Sequence, residues 1–324
     1  MASLLEFDHP ESAWNRAVDN LAHGDPFCCR TEWQLSFHEA FAPHRETYVA
    51  AQNGSVISFA LHKQANANPL IEPIEASWLF GCPLLGPDAL EMLADMLEAE
   101  PHATVLLSGM DVNSALTREL VAAFGSRYDV LHVASETACR ASLHGGLDSY
   151  LSRRSAKHRR GVRNAQRRAS ERGVYFQRHC PSNPTEADQA YDRILAIENS
   201  SWKGLKRRGI NKPPSRQFYS LMLRRMAKSS CGRVMFACHD GQDIGYIFGG
   251  LCGPGTEGNV YRGQQFSFAN DWRTASLGNL LQLEQLRWLC EEHVARYDMG
   301  PVMDYKHHWT ESLARIDAIA LRPH

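Results

Sequence analysis

The sequence predicts an α/β protein, an α+β mixed sheet flanked by helices and built in two successive halves, and three observations carry that expectation. Its 324 residues are 44% hydrophobic, enough for two cores. Alternating apolar runs turn on Asn53-Gly54 and on Asp240-Gly241, which are strong hairpin signals. Each hairpin is followed by the same succession of strand, helix and strand.

In chain order, "TYVAAQNGSVISFALHKQ" reads as the first hairpin and "ASWLFG" as a further strand. "PDALEMLADMLEAE" reads as a helix, "ATVLLSG" as a strand, "NSALTRELVAAFG" as a helix and "YDVLHVASETACRASL" as closing strands. In the second half, "TEADQAYDRILAIENSSW" and "SRQFYSLMLRRMAKSS" carry helical periodicity. The hairpin "RVMFACHDGQDIGYIFGGLCG" comes next, then the strand "NVYRGQQFSF", the helix "SLGNLLQLEQLRWLCEEH", the short strand "RYDMG" and a final strand "ARIDAIALR". A division into residues 1–145 and 146–324 is expected, with a basic helix at the joint.

That basic segment is the most unusual passage. Between Leu151 and Gly173 stand nine Lys or Arg and one acid, Glu171, a formal +8 in a chain that sums to −1, so the remainder carries −9. Nucleic-acid coating proteins spread basic excess over a whole face, and here the field is local. Leu151, Ser155, His158, Val162, Ala165 and Ala169 recur at steps of four and three and line one side of a helix. Asp148 or Ser149 would cap it. Arg159, Arg160 and Arg163 project from the other sides, where an anion would offset their mutual repulsion.

Several function classes are disfavoured. No apolar run approaches the roughly 20 residues that cross a bilayer, and the N-terminus has no basic start followed by a long apolar stretch. A cytoplasmic protein is expected. Nine scattered cysteines include no CxxC pair and read as reduced thiols. The adjacent histidines of "KHHW" point about 100° apart on a helix and make a poor metal clamp, so no metal is expected. No nucleophile elbow is present.

Mixed sheets bind ligands where a strand ends and a helix begins, because the helix N-terminus offers unpaired N–H donors and partial positive charge. In "NDWRTASLGN", Arg273, Thr274, Ser276, Leu277, Gly278 and Asn279 surround such an entry and could present a guanidinium, hydroxyls and backbone N–H groups to a pyrophosphate. Ordinary capping explains the same residues.

The basic run before Gly173, "ENSSWKG" at 198–204, "DGQDIGYIFG" at 240–249, "ASLGNLL" at 275–281, "YDMG" at 297–300 and "YKHHW" at 305–309 together resemble the Gcn5-related N-acyltransferase (GNAT) superfamily. More narrowly the chain is similar to the cellulose-biosynthesis (CelD/BcsL) acetyltransferase branch, and distantly to FemABX-type aminoacyl transferases with paired GNAT-like domains. The resemblance covers residues 145–320 and extends to the first half only as architecture. It implies tandem GNAT-like domains, the second carrying the site and the first without a complete donor site. The implied reaction moves an acyl group from a thioester, acyl-coenzyme A or an acyl-carrier protein, to an amine of a small or saccharide-type anionic acceptor in envelope or exopolysaccharide metabolism.

The family's phosphate loop has the pattern Arg/Gln-x-x-Gly-x-Gly/Ala, and Ser276 departs from its first glycine. Two alternatives therefore stay open: aminoacyl-tRNA as donor, and a non-catalytic module that binds RNA or another anion. The family resemblance implies Tyr305 as the acid that protonates the departing thiolate. Glu198 and then Asp298 are the candidate bases. Trp202, Lys203 and Lys306 would line the acceptor pocket, with Tyr261 at the head of the strand "YRGQQFSF", where the family holds the thioester carbonyl. The loop "KGLKRRGINKPPSRQ" would act as a lid or a plain connector.

Overall fold

The computed structural model describes every residue except Met1, Ala2, Asn20, Ala22, His23, Ala65, Asn66, Arg207, Arg208, Thr256 and Glu257. The chain divides into two compact units, one of Met1–Thr137 with Arg315–His324 and the other of Ala138–Ala314. In the first, α1 (Ala13–Asp19), α2 (Pro26–Cys29) and α3 (Thr31–Phe41) precede a hairpin of β1 (Glu46–Gln52) and β2 (Ser55–Gln64). After it come β3 (Ala67–Pro73), β4 (Leu84–Leu85), α4 (Ala89–Ala99), β5 (Thr104–Met110), α5 (Ala115–Phe124) and the long β6 (Tyr128–Ser142), which runs on into the second unit.

The second unit continues with α6 (Gly146–Ser152), α7 (Ala156–Glu171), β7 (Tyr175–His179), α8 (Pro184–Ser200), α9 (Trp202–Leu205) and α10 (Ser215–Lys228). Then come β8 (Gly232–His239), β9 (Gln242–Gly255), β10 (Gly258–Phe268), α11 (Leu277–Glu291) and β11 (Arg296–Pro301). The last strand, β12 (Ser312–Pro323), returns to the first unit from Arg315 onward. Strand order is β1-β2-β3-β5-β12 in the first unit, with β4 beside β2, and β6-β11-β10-β9-β8-β7 in the second. In each unit parallel and antiparallel pairs occur together. Among the described pairings β3 and β5 run parallel in one, β10 and β11 in the other.

Local chemistry explains most of these elements. Asn53 and Gly54 take φ of 47° and 78°, and Asp240 and Gly241 take 48° and 74°, the left-handed pair that a tight two-residue hairpin requires. Asn183 caps α8 by accepting from the Glu186 N–H. The core under α7 and α11 joins Ala165 and Ala169 to Met235, Ile247, Leu277 and Leu281. Among the described residues no helix is long and apolar enough to cross a membrane.

Two expectations are corrected. "ASWLFG" is not a strand: the buried Glu75 carboxylate accepts the N–H groups of Ser77, Trp78, Leu79 and Phe80, winding that segment around one side chain. The basic segment is not one helix either. It breaks between Ser152 and Ala156, and the side chain of Ser155, not Asp148 or Ser149, accepts the His158 N–H to cap α7. Val162, Ala165 and Ala169 face the core as expected.

Candidate active site

The candidate site grows from one irregularity among the strands of the second unit. β10 and β11 pair in parallel at Val260–Arg296, Tyr261–Tyr297 and Arg262–Asp298, and no further. Beyond that, β11 keeps its pairing with β6 to Pro301, while β10 keeps its pairing with β9 to Phe268. The register between β10 and β9 shifts between Gly263 and Gln265, so Gln264 bulges out. A bulge bends its strand and leaves a residue outside the ladder. The facing edges of β10 and β11 therefore part, and backbone donors and acceptors along β10 beyond Arg262 lack a strand partner on that side. The Gln264 Nε2 and Ser267 Oγ atoms are buried there without hydrogen-bond partners, an arrangement that a bound polar group would satisfy.

Cations gather beside this gap. A 3-10 turn at Asp304–His308 lies just after β11, and the edge of the Tyr305 ring meets Phe266 at 5.2 Å between centroids. Lys306 is buried and donates to the Pro301 carbonyl at 2.7 Å. From α9, half-buried Lys203 donates to the Phe266 carbonyl at 2.7 Å and to Gln265 Oε1 at 3.4 Å. Gln265 Nε2 in turn donates to the Tyr219 hydroxyl at 2.8 Å. Burial, with Arg262 and Lys203 nearby, pulls the Lys306 ammonium down to about 8, although Asp298 and Cys139 oppose the shift. Burial also lowers Lys203, against the opposing pull of Glu198. The Tyr305 phenol is pushed up by burial and keeps its proton through the physiological range.

The two candidate bases are held elsewhere. Glu198 is 0% exposed. Its carboxylate accepts from the Tyr246 hydroxyl at 3.0 Å, the Ser201 hydroxyl at 3.3 Å and the Ile210 N–H at 3.2 Å. Asp298 accepts from Arg140 Nε at 3.0 Å and the Gly300 N–H at 3.1 Å, with Arg262 Nε at 4.0 Å. Both carboxylates hold neighbouring elements in register, and neither faces an open space from which an amine proton could arrive. Tyr261 is likewise a core residue. Its ring packs on Tyr297 at 5.2 Å and its hydroxyl is buried without a partner. Trp202 is 41% exposed and carries Lys206 over its ring. Lys212 in the connecting loop and Arg216 in the first turn of α10 are exposed, while Arg207 and Arg208 lie outside the described residues.

At the entry to α11, Arg273 and Thr274 stand exposed on a 3-10 turn, Asn270–Ala275. Ser276 comes next at φ 59°, the left-handed conformation that glycine adopts without cost. Leu277 points into the core. Gly278 packs closely, since a Cβ there would lie 3.1 Å from the Phe268 ring and 3.2 Å from that of Phe266. Asn279 is exposed, and its N–H is bonded to the Ser276 carbonyl at 3.0 Å. On α7, Arg159 donates to the carbonyls of Ser152 and Arg154. Arg160 and Arg163 are exposed and make no ion pair among the described residues.

This bulged strand, parting from its parallel neighbour just before a helix entry, lies within a segment that matches a known family. The profile of the acetyltransferase (GNAT) domain matches residues 156–307. The chain carries a GNAT-type acetyltransferase domain. That GNAT domain begins at α7 and ends within the Tyr305 turn. No curated protein sequence matches the chain. Over its whole length the fold is similar to the crystal structure of FemX, with 12% identity, coverage of 98% of this chain and 96% of that one, and a TM-score of 0.66. It is similar to a conserved protein of unknown function from Bacteroides thetaiotaomicron at 10% identity, 100% and 98% coverage and a TM-score of 0.60. It is also similar to L-PGS from Bacillus licheniformis, at 13%, 93% and 92%, and 0.53.

Within the GNAT domain the structure gathers Lys203, Lys306 and Tyr305, and it adds Arg262, Gln264, Gln265 and Tyr219, which sequence reading does not single out. A signal for the glutamines is present. Two consecutive amides after a glycine in "YRGQQFSF" break the alternation of a buried strand, which is how a bulge reads in sequence. Tyr219 carries no such mark, because its partner lies 46 residues away.

Proposed function

We propose that the GNAT domain transfers an acyl group from a carrier thioester, acyl-coenzyme A or an acyl-carrier protein, to the amine of a small or saccharide-type acceptor that bears negative charge. The parting of β10 from β11 carries this reading, because it leaves backbone groups of β10 without a strand partner beside the cations Lys203 and Lys306. A thioester carbonyl set against the bulge would accept from backbone N–H of β10, and that bond strengthens as the oxygen gains charge. The acceptor amine attacks the carbonyl carbon, forming C–N and breaking C–S. The ammonium proton is lost to solvent, and Tyr305, kept neutral by burial, gives its proton to the departing thiolate. Lys203 and Lys306 hold the acceptor's anionic group. Glu198 and Asp298 serve as supports, and the entry loop from Arg273 to Asn279 receives the donor's phosphates. Resemblance to the CelD/BcsL branch supports a saccharide-type acceptor.

A second reading takes aminoacyl-tRNA as the donor. It is favoured by the exposed and unpaired Arg160 and Arg163 of α7 and by the sequence resemblance to FemABX-type transferases. The two readings separate by ligand. Acetyl-coenzyme A or a longer acyl relative should raise the melting temperature by several degrees, since ligand at about 100 times its Kd stabilises by roughly 2.7 kcal/mol. A folded protein that no acyl-coenzyme A stabilises, yet that binds tRNA through Arg160 and Arg163, would replace the first reading by the second.

A further inference from the structure

We propose that the mouth of the gap is a docking surface for an anionic bilayer, which receives Trp202 and Leu205 from α9 and Val302 and Met303 from the chain after β11. These four side chains are 41%, 65%, 38% and 53% exposed. Both segments flank Phe266 of β10. Lys203 of α9 donates to its carbonyl at 2.7 Å, and Tyr305, two residues after Met303, meets its ring at 5.2 Å between centroids. Four of the ten large apolar side chains exposed among the described residues therefore stand on two short segments beside one stretch of strand. Apolar exposure gathered in this way marks an interaction surface. It is also built into the backbone. Ser201 caps α9 by accepting the Gly204 N–H at 3.1 Å, and a Cβ on Gly204 would lie 2.0 Å from the Glu198 carbonyl oxygen. The buried Glu198 carboxylate accepts the Ile210 N–H at 3.2 Å and ties down the far side of the same loop. With its inner side held against Glu198, α9 leaves Trp202 and Leu205 to the outside.

The charge indicates what covers these side chains. From Trp202 to Arg216 the sequence holds six Lys or Arg and no acid, and Lys206, Lys212 and Arg216 are exposed. Asp304 is the one acid between Pro301 and His308. The Lys206 ammonium lies over the Trp202 ring at 5.9 Å, so an indole at headgroup depth sets that cation among lipid phosphates. Protruding apolar groups with cations beside them match an anionic membrane surface, which stabilises both kinds of side chain. A nucleic acid would answer the cations and leave Leu205, Val302 and Met303 uncovered. Separate side chains standing out from two segments also suit a bilayer, because it adapts to them without a complementary shape.

This surface goes beyond the acyl-transfer reading and does not depend on it. Its test is flotation of the whole protein with vesicles of phosphatidylcholine, alone or mixed with phosphatidylglycerol. The protein should bind the mixed vesicles at least about tenfold more tightly than the neutral ones. Leu205→Ser combined with Met303→Ser should weaken that binding by at least about tenfold, and Lys206→Gln combined with Lys212→Gln by about tenfold. Tyr175→Ser, at an exposed position on β7, three strands from β10, should leave it unchanged. Brominated lipid should quench tryptophan emission of the parent protein more than that of Trp202→Phe. No binding to mixed vesicles at millimolar lipid, equal binding to both kinds of vesicle, or binding indifferent to the Leu205 and Met303 changes would each overturn the proposal. Polyglutamate bound as tightly as the mixed vesicles would overturn it in favour of an acidic protein. Vesicle binding lost only with Arg160→Gln and Arg163→Gln would overturn it by moving the contact to α7. Acyl-coenzyme A binding that persists while vesicle binding fails would refute this surface and leave the acyl-transfer reading standing.

Discussion

The two units each contain a parallel strand pair next to a helix, and they treat the space beside it in opposite ways. In the first, β3 and β5 pair in parallel at Leu70–Thr104 and Ile71–Val105. The chain leaving β3 then folds back against β5: the Gly109 N–H donates to the Leu79 carbonyl at 3.1 Å, and the Ser108 hydroxyl bonds to the Gly81 carbonyl at 2.5 Å. Glu75 organises that plug by collecting four backbone N–H groups on a carboxylate that is 0% exposed. In the second, β10 leads through a short 3-10 turn into α11, and among the described residues β10 and β11 pair no further than Arg262–Asp298. One arrangement seals the backbone edge with the protein's own groups, and the other leaves it without a strand partner, with Lys203 and Lys306 alongside, where we propose the thioester binds. The path of the chain beyond the strand, rather than the order of elements, thus distinguishes the proposed site from the sealed edge.

The comparison can be broken first at the open gap. Tyr305→Phe removes the phenol proton and should lower kcat by about 100-fold or more while donor affinity stays constant. An unchanged kcat would take Tyr305 out of the chemistry. The next largest effect belongs to the sealed unit. Burial raises the Glu75 carboxyl from 4.5 to about 7, partly opposed by its four N–H donors. Its folded pKa exceeds the unfolded one, so its contribution to stability is complete below about pH 4.5 and is lost as pH rises through about 7. The loss is on the order of 3 kcal/mol. Denaturant midpoints for Glu75→Gln should therefore lack a pH-dependent fall that the parent protein shows across this window. Parallel curves would remove Glu75 from the account of the plug.

Much of this contrast is legible in the sequence. The hairpins at Asn53-Gly54 and Asp240-Gly241 announce themselves because their turn type needs positive φ, and the strands of the second unit emerge from apolar runs. The plug does not. Ala76–Gly81 is apolar enough for a strand, and only the burial of Glu75, a tertiary fact, turns it into a loop. The basic segment reads as one helix because its small residues keep helical spacing across Ser152–Ser155, where the chain breaks and Ser155 caps a new start. Lys203, Lys306 and Tyr305 are legible in the sequence as candidates, and the fold places them near one another beside the gap. Glu198 and Asp298 stand out by type and position, but sequence does not reveal that Tyr246 and Arg140 already occupy them.

A smaller effect sharpens the account of the cations. With the Lys306 ammonium at about 8, its charge is present below that pH and lost above it. KM for an anionic acceptor should rise as pH passes through about 8, and Lys306→Met should flatten that rise while raising KM about tenfold at neutral pH. A KM profile identical in the variant would place the anion elsewhere.

The claim that the parted edge of β10 receives the acyl carrier is tested most directly by amide hydrogen exchange, with and without saturating acyl-coenzyme A. One or more amides between Gly263 and Phe268 should exchange more slowly with ligand bound, while those of β3 in the sealed unit stay unchanged. Equal exchange along Gly263–Phe268 in both states, in protein that demonstrably binds the ligand, would contradict it.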